Sequence, residues 1–249
     1  MKSPPPETHY EGADNLRAMR SAVRYQAWLT RHVTRTVHAV YAAKVVDFGA
    51  GLGDYARPVS RLAAVTCVEP DASLRDGLER EGFATAANIA DLPAGAFDLV
   101  YSLNVLEHIR QDVEALRQVR RILVPGGSLL LYVPAFQCLY SAMDAKVGHY
   151  RRYRYRGLAD RVRQAGLQVI SGRYADSLGF LAALAYRVAR GDGTLSPASV
   201  AAYDRFVFPV SRVLDTVLHP FFGKNLWLVA RAPDAAVRVG GDESRPRSR

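Results

Sequence analysis

Cysteine is almost missing from this chain, with two in 249 residues, Cys67 and Cys138. Two isolated thiols form neither a disulfide framework nor a Cys-x-x-Cys redox pair, so a reducing cytoplasm is the expected setting. Acidic residues are outnumbered by basic ones, 24 against 33, which leaves a net charge of +9. Unbroken apolar runs are missing too. The uncharged stretch 122–143 is interrupted by Pro125, Gly126, Gly127 and Pro134, and reads as a turn, a buried strand and a loop rather than a membrane span. The opening Met1-Lys2-Ser3-Pro4-Pro5-Pro6 has no apolar segment of the signal-peptide kind. No internal repeat is evident. No His, Cys and carboxylate residues recur at metal-ligand spacing, so no metal is expected.

Against these absences stands a core-sized apolar fraction of 49% and an alternation of short apolar strands with helical stretches, which predicts a parallel sheet covered on both faces. The first strand runs Val45-Val46-Asp47-Phe48 and enters a glycine-rich turn, Gly49-Ala50-Gly51-Leu52-Gly53-Asp54. A dinucleotide fingerprint reads Gly-x-Gly-x-x-Gly and faces a pyrophosphate. Here the glycines alternate, Asp54 falls on the third fingerprint position, and Asp47 stands just ahead of the turn. Carboxylates at these places repel a pyrophosphate and suit a ligand with an ammonium group, a sulfonium centre and no phosphate.

The next strand, Val65-Thr66-Cys67-Val68, closes on Glu69. An acid at this distance from the glycine turn is where Rossmann-type sites hold a ribose diol, and a carboxylate can accept two hydroxyl hydrogen bonds at once. A helix is expected over 55–62, and another from Asp71 to Leu78. A weak third strand, 83–87, leads into Asn88-Ile89-Ala90-Asp91-Leu92-Pro93. A fourth, Phe97-Asp98-Leu99-Val100-Tyr101-Ser102, runs into Leu103-Asn104-Val105-Leu106-Glu107-His108. A helix with Val113, Leu116, Val119, Ile122 and Leu123 on one face follows. Pro125-Gly126-Gly127 ends it, and a fifth strand spans Ser128 to Val133.

These four segments, in this order and at this spacing, resemble the motifs of the class I S-adenosylmethionine-dependent methyltransferases over about 90 residues. The resemblance implies an α/β, Rossmann-like, seven-stranded sheet with helices on both faces, and S-adenosyl-L-methionine as cofactor. It assigns Asp47, Gly49, Gly51 and Gly53 to the methionine end, Glu69 to the ribose, Asn88 and Ile89 to the adenine, and Asn104 to the region of the sulfur. Asn88 stands where many relatives carry Asp, and its side-chain carbonyl can still accept from the adenine amino group.

The segment after the fifth strand is distinctive. Residues 146–163 hold seven basic residues against Asp160, and within them Gly148-His149-Tyr150-Arg151-Arg152-Tyr153 resembles a loop of a bacterial subgroup often associated with glycan and lipid biosynthesis. In this fold, loops after strand ends line the ligand crevice. One reading makes His149 a general base for an acceptor hydroxyl or amine, with Tyr150, Arg151, Arg152 and Tyr153 holding an anionic acceptor. A second makes the string a nucleic-acid contact, disfavoured because no recognition module accompanies it. A third makes it structural, with Arg pairing to local carboxylates and Tyr packing. His108 is the other candidate base.

Residues 1–14 and 233–249 are expected to be disordered, flanking a methyltransferase domain over 15–232. Within it, 15–43 reads as a helical lid carrying Tyr25 and Trp28, with ordinary helix packing of these two side chains the equal alternative, and 174–223 as a helical insertion before a last strand from Asn225 to Ala230. The sixth strand is expected over 167–170. The insertion suits a lid, a homodimer contact or a peripheral membrane patch at the inner membrane face, with lid or dimer favoured. The expected reaction is methyl transfer to an oxygen, or to a nitrogen, of a small-molecule or glycan-lipid acceptor. Carbon ranks third as acceptor atom. A protein lysine N-methyltransferase and a non-catalytic S-adenosylmethionine-binding module are the alternatives. A nicotinamide dehydrogenase is disfavoured by the glycine spacing and Asp54.

Overall fold

The computed structural model describes residues 20–188 and 196–234. The expected tails at 1–14 and from 235 onward, and part of the insertion, lie outside these residues. Seven strands form one sheet in the order β3-β2-β1-β4-β5-β7-β6. They are β1 Lys44–Phe48, β2 Ala64–Val68, β3 Ala84–Ala86, β4 Phe97–Leu103, β5 Leu123–Pro134, β6 Gln168–Ala175 and β7 Asn225–Arg231. β1 to β5 pair in parallel, and β7 is inserted antiparallel between β5 and β6. This is the seven-stranded architecture that the resemblance implied, and the antiparallel β7 departs from the all-parallel sheet that the strand alternation alone predicted.

The helices are α1 Val23–Ala39, α2 Ala56–Val59, α3 Ala72–Arg80, α4 Asp112–Ile122, α5 Ala142–Lys146, α6 Tyr155–Gln164, α7 Ser177–Val188, α8 Pro197–Ala202 and α9 Phe208–Leu218. Local chemistry explains several boundaries. The Asp71 side chain accepts from the Leu74 N–H at 3.0 Å and caps α3. α4 carries Asp112 and Glu114 in its first turn and Arg120 and Arg121 in its last, matching the helix dipole. The helix expected over 55–62 shrinks to the single turn of α2. The sixth strand is longer than expected, because Ser171 to Ala175 continue to pair with β7. That pairing also moves the start of the insertion, since Tyr174 and Ala175 are still strand.

Two cores cover the two faces of the sheet. One joins β4, β5 and β7 to α4 and α6 through Leu116, Ile122, Leu158 and Val162. The other lies under α1, whose Leu29 and Val33 are completely buried. Burying such side chains contributes about 1.5–3 kcal/mol each. Over the described part of 15–43, α1 packs as a layer of the core, in line with the packing alternative for Tyr25 and Trp28. Tyr25 and Trp28 pack there against Tyr132, Phe208 and Trp227. Among the described residues no helix is long and apolar enough to cross a membrane.

The order of strands reverses at β1, with β2 on one side and β4 on the other. In an open parallel sheet the crevice at the carboxyl ends of such strands is where ligands bind.

Candidate active site

The glycine turn after β1 is fastened to β2, since the Gly49 and Ala50 N–H groups both donate to the Val68 carbonyl, at 2.8 and 3.1 Å. Gly49 has φ +83°, and a Cβ there would strike the Val105 side chain. Gly51 has φ +54° and nothing within 4 Å of a built Cβ, so it borders open space. Glu69, at the end of β2, accepts from the Gly51 N–H at 2.8 Å and from the Asp71 N–H at 3.0 Å. Each carboxylate oxygen therefore takes one backbone hydrogen bond and keeps acceptor capacity beside the open glycine.

Asp47 is 3% exposed on β1, and its Oδ2 is buried without a hydrogen-bond partner. Burial pushes its carboxyl up to about 7. Asp54 behaves differently. It pairs with Arg20 at 2.8 Å and Arg57 at 3.1 Å, so its charge is answered by arginines. The expectation that Asp54 repels a pyrophosphate is corrected on that ground, and Asp47 and Glu69 are left as the acids of the crevice.

Asn104 follows β4 in the left-handed region at φ +56°, a conformation Asn tolerates better than most residues. Its N–H donates to the Tyr132 carbonyl at 2.7 Å. Asn88 caps the single turn Ile89–Asp91, with its side-chain oxygen accepting from the Ala90 N–H at 2.9 Å. The oxygen assigned to the adenine amino group thus already has a backbone partner. Ile89 is 4% exposed and packs in the core with Leu92 and Phe97; its side chain is an inward anchor rather than an open platform.

The loop after β5 folds onto the segment after β4. Tyr150 donates its N–H to the Glu107 carbonyl at 2.8 Å, and its side chain is exposed. His149 Nδ1 lies 2.7 Å from Asp144 Oδ1, and His149 Nε2 lies 3.8 Å from Glu107 Oε1. Asp144 is fully buried and also takes two hydrogen bonds from Arg152, Nε at 2.8 Å and Nη2 at 3.0 Å. Burial alone would raise this carboxyl, but the hydrogen bonds from His149 and Arg152 hold it well below the usual carboxylate range. An ionised carboxylate only accepts, so the His149 Nδ1 that faces it donates.

Arg151 donates to Asp112 at 2.6 Å and to the Arg110 carbonyl at 2.9 Å. The Tyr153 hydroxyl, in a residue 3% exposed, donates within reach of Asp112 Oδ2 at 3.0 Å and the Leu106 carbonyl at 3.1 Å. The assignment of Arg151, Arg152 and Tyr153 to acceptor binding is therefore corrected. Their polar groups are engaged within the protein, as the structural reading of the string required, and Tyr150 alone of the four presents its side chain outward.

Glu107 was not singled out from the sequence, yet it sits at the centre of this cluster. It is fully buried, both of its carboxylate oxygens are without hydrogen-bond partners, and burial pushes it up to about 8. The His108 ring lies 4.5 Å from that of His149, and burial pushes it down to about 4. Glu107, His108 and His149 present ligand atoms within 4.8 Å of one another. Residues far apart in the chain thus converge in a way that linear spacing hid, contrary to the expectation of no metal-like grouping.

Known proteins resemble this chain in sequence and fold. The family described as methyltransferase domain matches residues 19–172. The ubiquinone/menaquinone biosynthesis C-methyltransferase UbiE of Neisseria meningitidis is 28% identical over 151 residues, 55% of this chain and 60% of that protein. The ubiquinone biosynthesis O-methyltransferase of a Caulobacter species is 32% identical over 117 residues, 42% of this chain and 46% of that protein. The chain thus spans well under two thirds of the length of these relatives. Among solved structures, a SAM dependent methyltransferase from Archaeoglobus fulgidus superposes with a TM-score of 0.56 at 13% identity, covering 83% of this chain and 94% of that one. The family match takes in the glycine turn, Glu69, the segment after β4 and the His149 loop together, and this chain belongs to the methyltransferase-domain family of S-adenosylmethionine-dependent enzymes.

Proposed function

We propose that the protein transfers a methyl group from S-adenosylmethionine to an oxygen, or secondarily a nitrogen, of a small-molecule or lipid-linked acceptor. The residues of the crevice fit the cofactor. The orphaned Oδ2 of Asp47 suits an ammonium group, the oriented Glu69 carboxylate suits a ribose diol, and the open face of Gly51 leaves room for the cofactor. Two buried acids disfavour a pyrophosphate. When bound, the cofactor supplies a methyl group on a good sulfonium leaving group, so the protein has chiefly to align the acceptor and remove its proton.

The observation that carries the acceptor reading is the hydrogen bond of His149 Nδ1 to Asp144. It leaves Nε2 as a proton acceptor beside the end of β4. Asp144 stabilises the imidazolium that forms, Arg152 anchors Asp144, and Glu107 stands next to the new charge with a carboxyl that can ionise in response. His108, pushed down to about 4, is the weaker base. Tyr150 flanks the acceptor side. The names of the two ubiquinone-pathway relatives support a small-molecule acceptor over a protein lysine.

The test is a transfer assay with methyl-labelled S-adenosylmethionine against hydroxyl-bearing, amine-bearing and protein acceptors. Label in a hydroxyl compound supports the reading. Label only in protein, or cofactor binding with no transfer to any class, contradicts it.

A further inference from the structure

A groove of about 540 Å³ opens between α1, β6 and α9, and its walls carry five arginines: Arg24, Arg31, Arg35, Arg173 and Arg212. None of the residues lining it is acidic. Its floor is aromatic, formed by Trp28 and Phe208, with the Arg212 guanidinium 4.4 Å from the Trp28 ring centre. Among the described residues only Arg212 of the five has a carboxylate partner, Asp215 at 2.9 Å. Arg173 instead meets a histidine, with Nη2 2.8 Å from His32 Nε2. His32 Nδ1 is 2.9 Å from the Trp28 carbonyl, so the ring donates there and accepts from Arg173. It serves as a neutral spacer, with burial pushing it down to about 4.

Five like charges gathered around a single paired carboxylate, Asp215, are destabilising unless a ligand answers them. Burial and the charge of Arg212 already lower the Arg173 guanidinium from its usual range. Planar guanidinium forks match phosphate oxygens in pairs. The groove is separate from the crevice at the strand ends, being roofed by the outer face of α1 and the exposed side of β6.

An apolar stripe adjoins it. On α9, Pro209 and Arg212 face the groove while Phe208, Ser211 and Asp215 are buried. Val210, Val213, Leu214 and Val217 on the same helix are exposed, and Phe206 and Phe221 extend the stripe beyond its ends. Exposed apolar surface of this extent, next to unneutralised arginines, has the two properties that hold a helix at an anionic bilayer surface.

We propose that the α1–β6–α9 groove binds phosphate headgroups of an anionic lipid surface, with the α9 stripe seated among the acyl chains beside it. This would hold the methyltransferase at a surface where acceptors dissolve in a membrane, and so rests on the reading above for its purpose but not for its test.

The test is co-sedimentation of the full chain with phosphatidylcholine vesicles, with and without phosphatidylglycerol, at low and high salt. Binding is expected only to the anionic vesicles, falling with salt. Arg31→Glu with Arg35→Glu should weaken it about tenfold or more, and Val213→Asp with Val217→Asp should weaken it separately. S-adenosylmethionine binding should be unchanged in both double variants, so a failure of the membrane site is separable from a failure of the cofactor site. These substituted side chains are exposed, and thermal melting checks the fold. Three outcomes overturn the proposal. They are no binding to anionic vesicles at low salt, binding of inorganic pyrophosphate by the groove without vesicle binding, and a dimer in light scattering that the Val213 and Val217 changes dissociate while vesicles remain unbound.

Discussion

His149 and Asp144 are joined at 2.7 Å through Nδ1 and Oδ1, in a loop that also closes on Glu107. The pair orients the imidazole, with Nδ1 toward Asp144 and Nε2 on the side of Glu107. His149→Ala should leave cofactor binding intact and lower turnover at least tenfold, within the range of roughly 10²–10⁴ that general acid–base catalysis contributes. Calorimetry and single-turnover kinetics read the two effects separately, and an unchanged turnover removes His149 from proton transfer.

The same cluster offers a contrast between proton chemistry and metal chemistry. If Nε2 acts as a base, protein treated with a chelator and then freed of it keeps its full turnover. Loss of activity that a divalent cation restores would make Glu107, His108 and His149 ligands instead. Elemental analysis of the purified protein gives an independent reading.

Arg152 acts on stability through Asp144, which has no exposure of its own. Arg152→Ala leaves a buried carboxylate short of its cation, at a cost of about 3–5 kcal/mol in urea unfolding. Lys at this position restores charge but not the paired geometry, and should recover only part of the loss. The pair's contribution depends on the depressed carboxyl. It is present above the unfolded pKa of Asp and is lost as pH falls toward the lower folded value.

Asp47 shows the opposite sign. Its folded pKa, about 7, lies above the unfolded value, so the folded state holds the proton more tightly and its contribution to stability falls as pH rises between the two. Asp47→Asn should therefore stabilise the protein at pH 8 by roughly 1–3 kcal/mol while weakening S-adenosylmethionine binding. In the native protein that binding should tighten as pH rises through about 7, because an ammonium group prefers the ionised carboxylate. Melting curves and titrations at several pH values measure both. Asp47→Asn that binds as tightly as the native chain would contradict the assignment.

Gly49 and Gly51 separate packing from binding. Gly49→Ala meets the Val105 side chain and is strained by its φ of +83°, so it should unfold at lower denaturant, with partial rescue by Val105→Ala. Gly51→Ala meets no protein atom within 4 Å. It should cost about 1 kcal/mol for its positive φ and reduce cofactor binding far more than stability.

Much of the sheet was legible because its signals are local. Val45, Val46, Leu129 and Leu131 belong to runs buried on both faces, and Gly-rich or Pro-rich turns bound the strands. Glu69 was legible from its distance to the glycine turn. What escaped notice depends on partners remote in sequence. Arg151 finds Asp112 across 39 positions, and Asp54 finds Arg20 across 34, so charges that look available in the string are already satisfied. α1 reads as a lid in sequence because its Arg24, Tyr25 and Trp28 mix basic and aromatic character, yet Leu29 and Val33 commit it to the core. Glu107 gave one usable signal, a carboxylate between Leu106 and His108 at a strand end, and its burial became apparent only when the His149 loop closed over it.

The central claim is that the crevice of Asp47, Gly51 and Glu69 takes S-adenosylmethionine rather than a pyrophosphate dinucleotide. Calorimetric titration of the purified protein with S-adenosylmethionine, with NADH as control, tests it most directly. The account predicts micromolar binding of the first and none of the second. Binding of NADH, or no heat with S-adenosylmethionine, would contradict it.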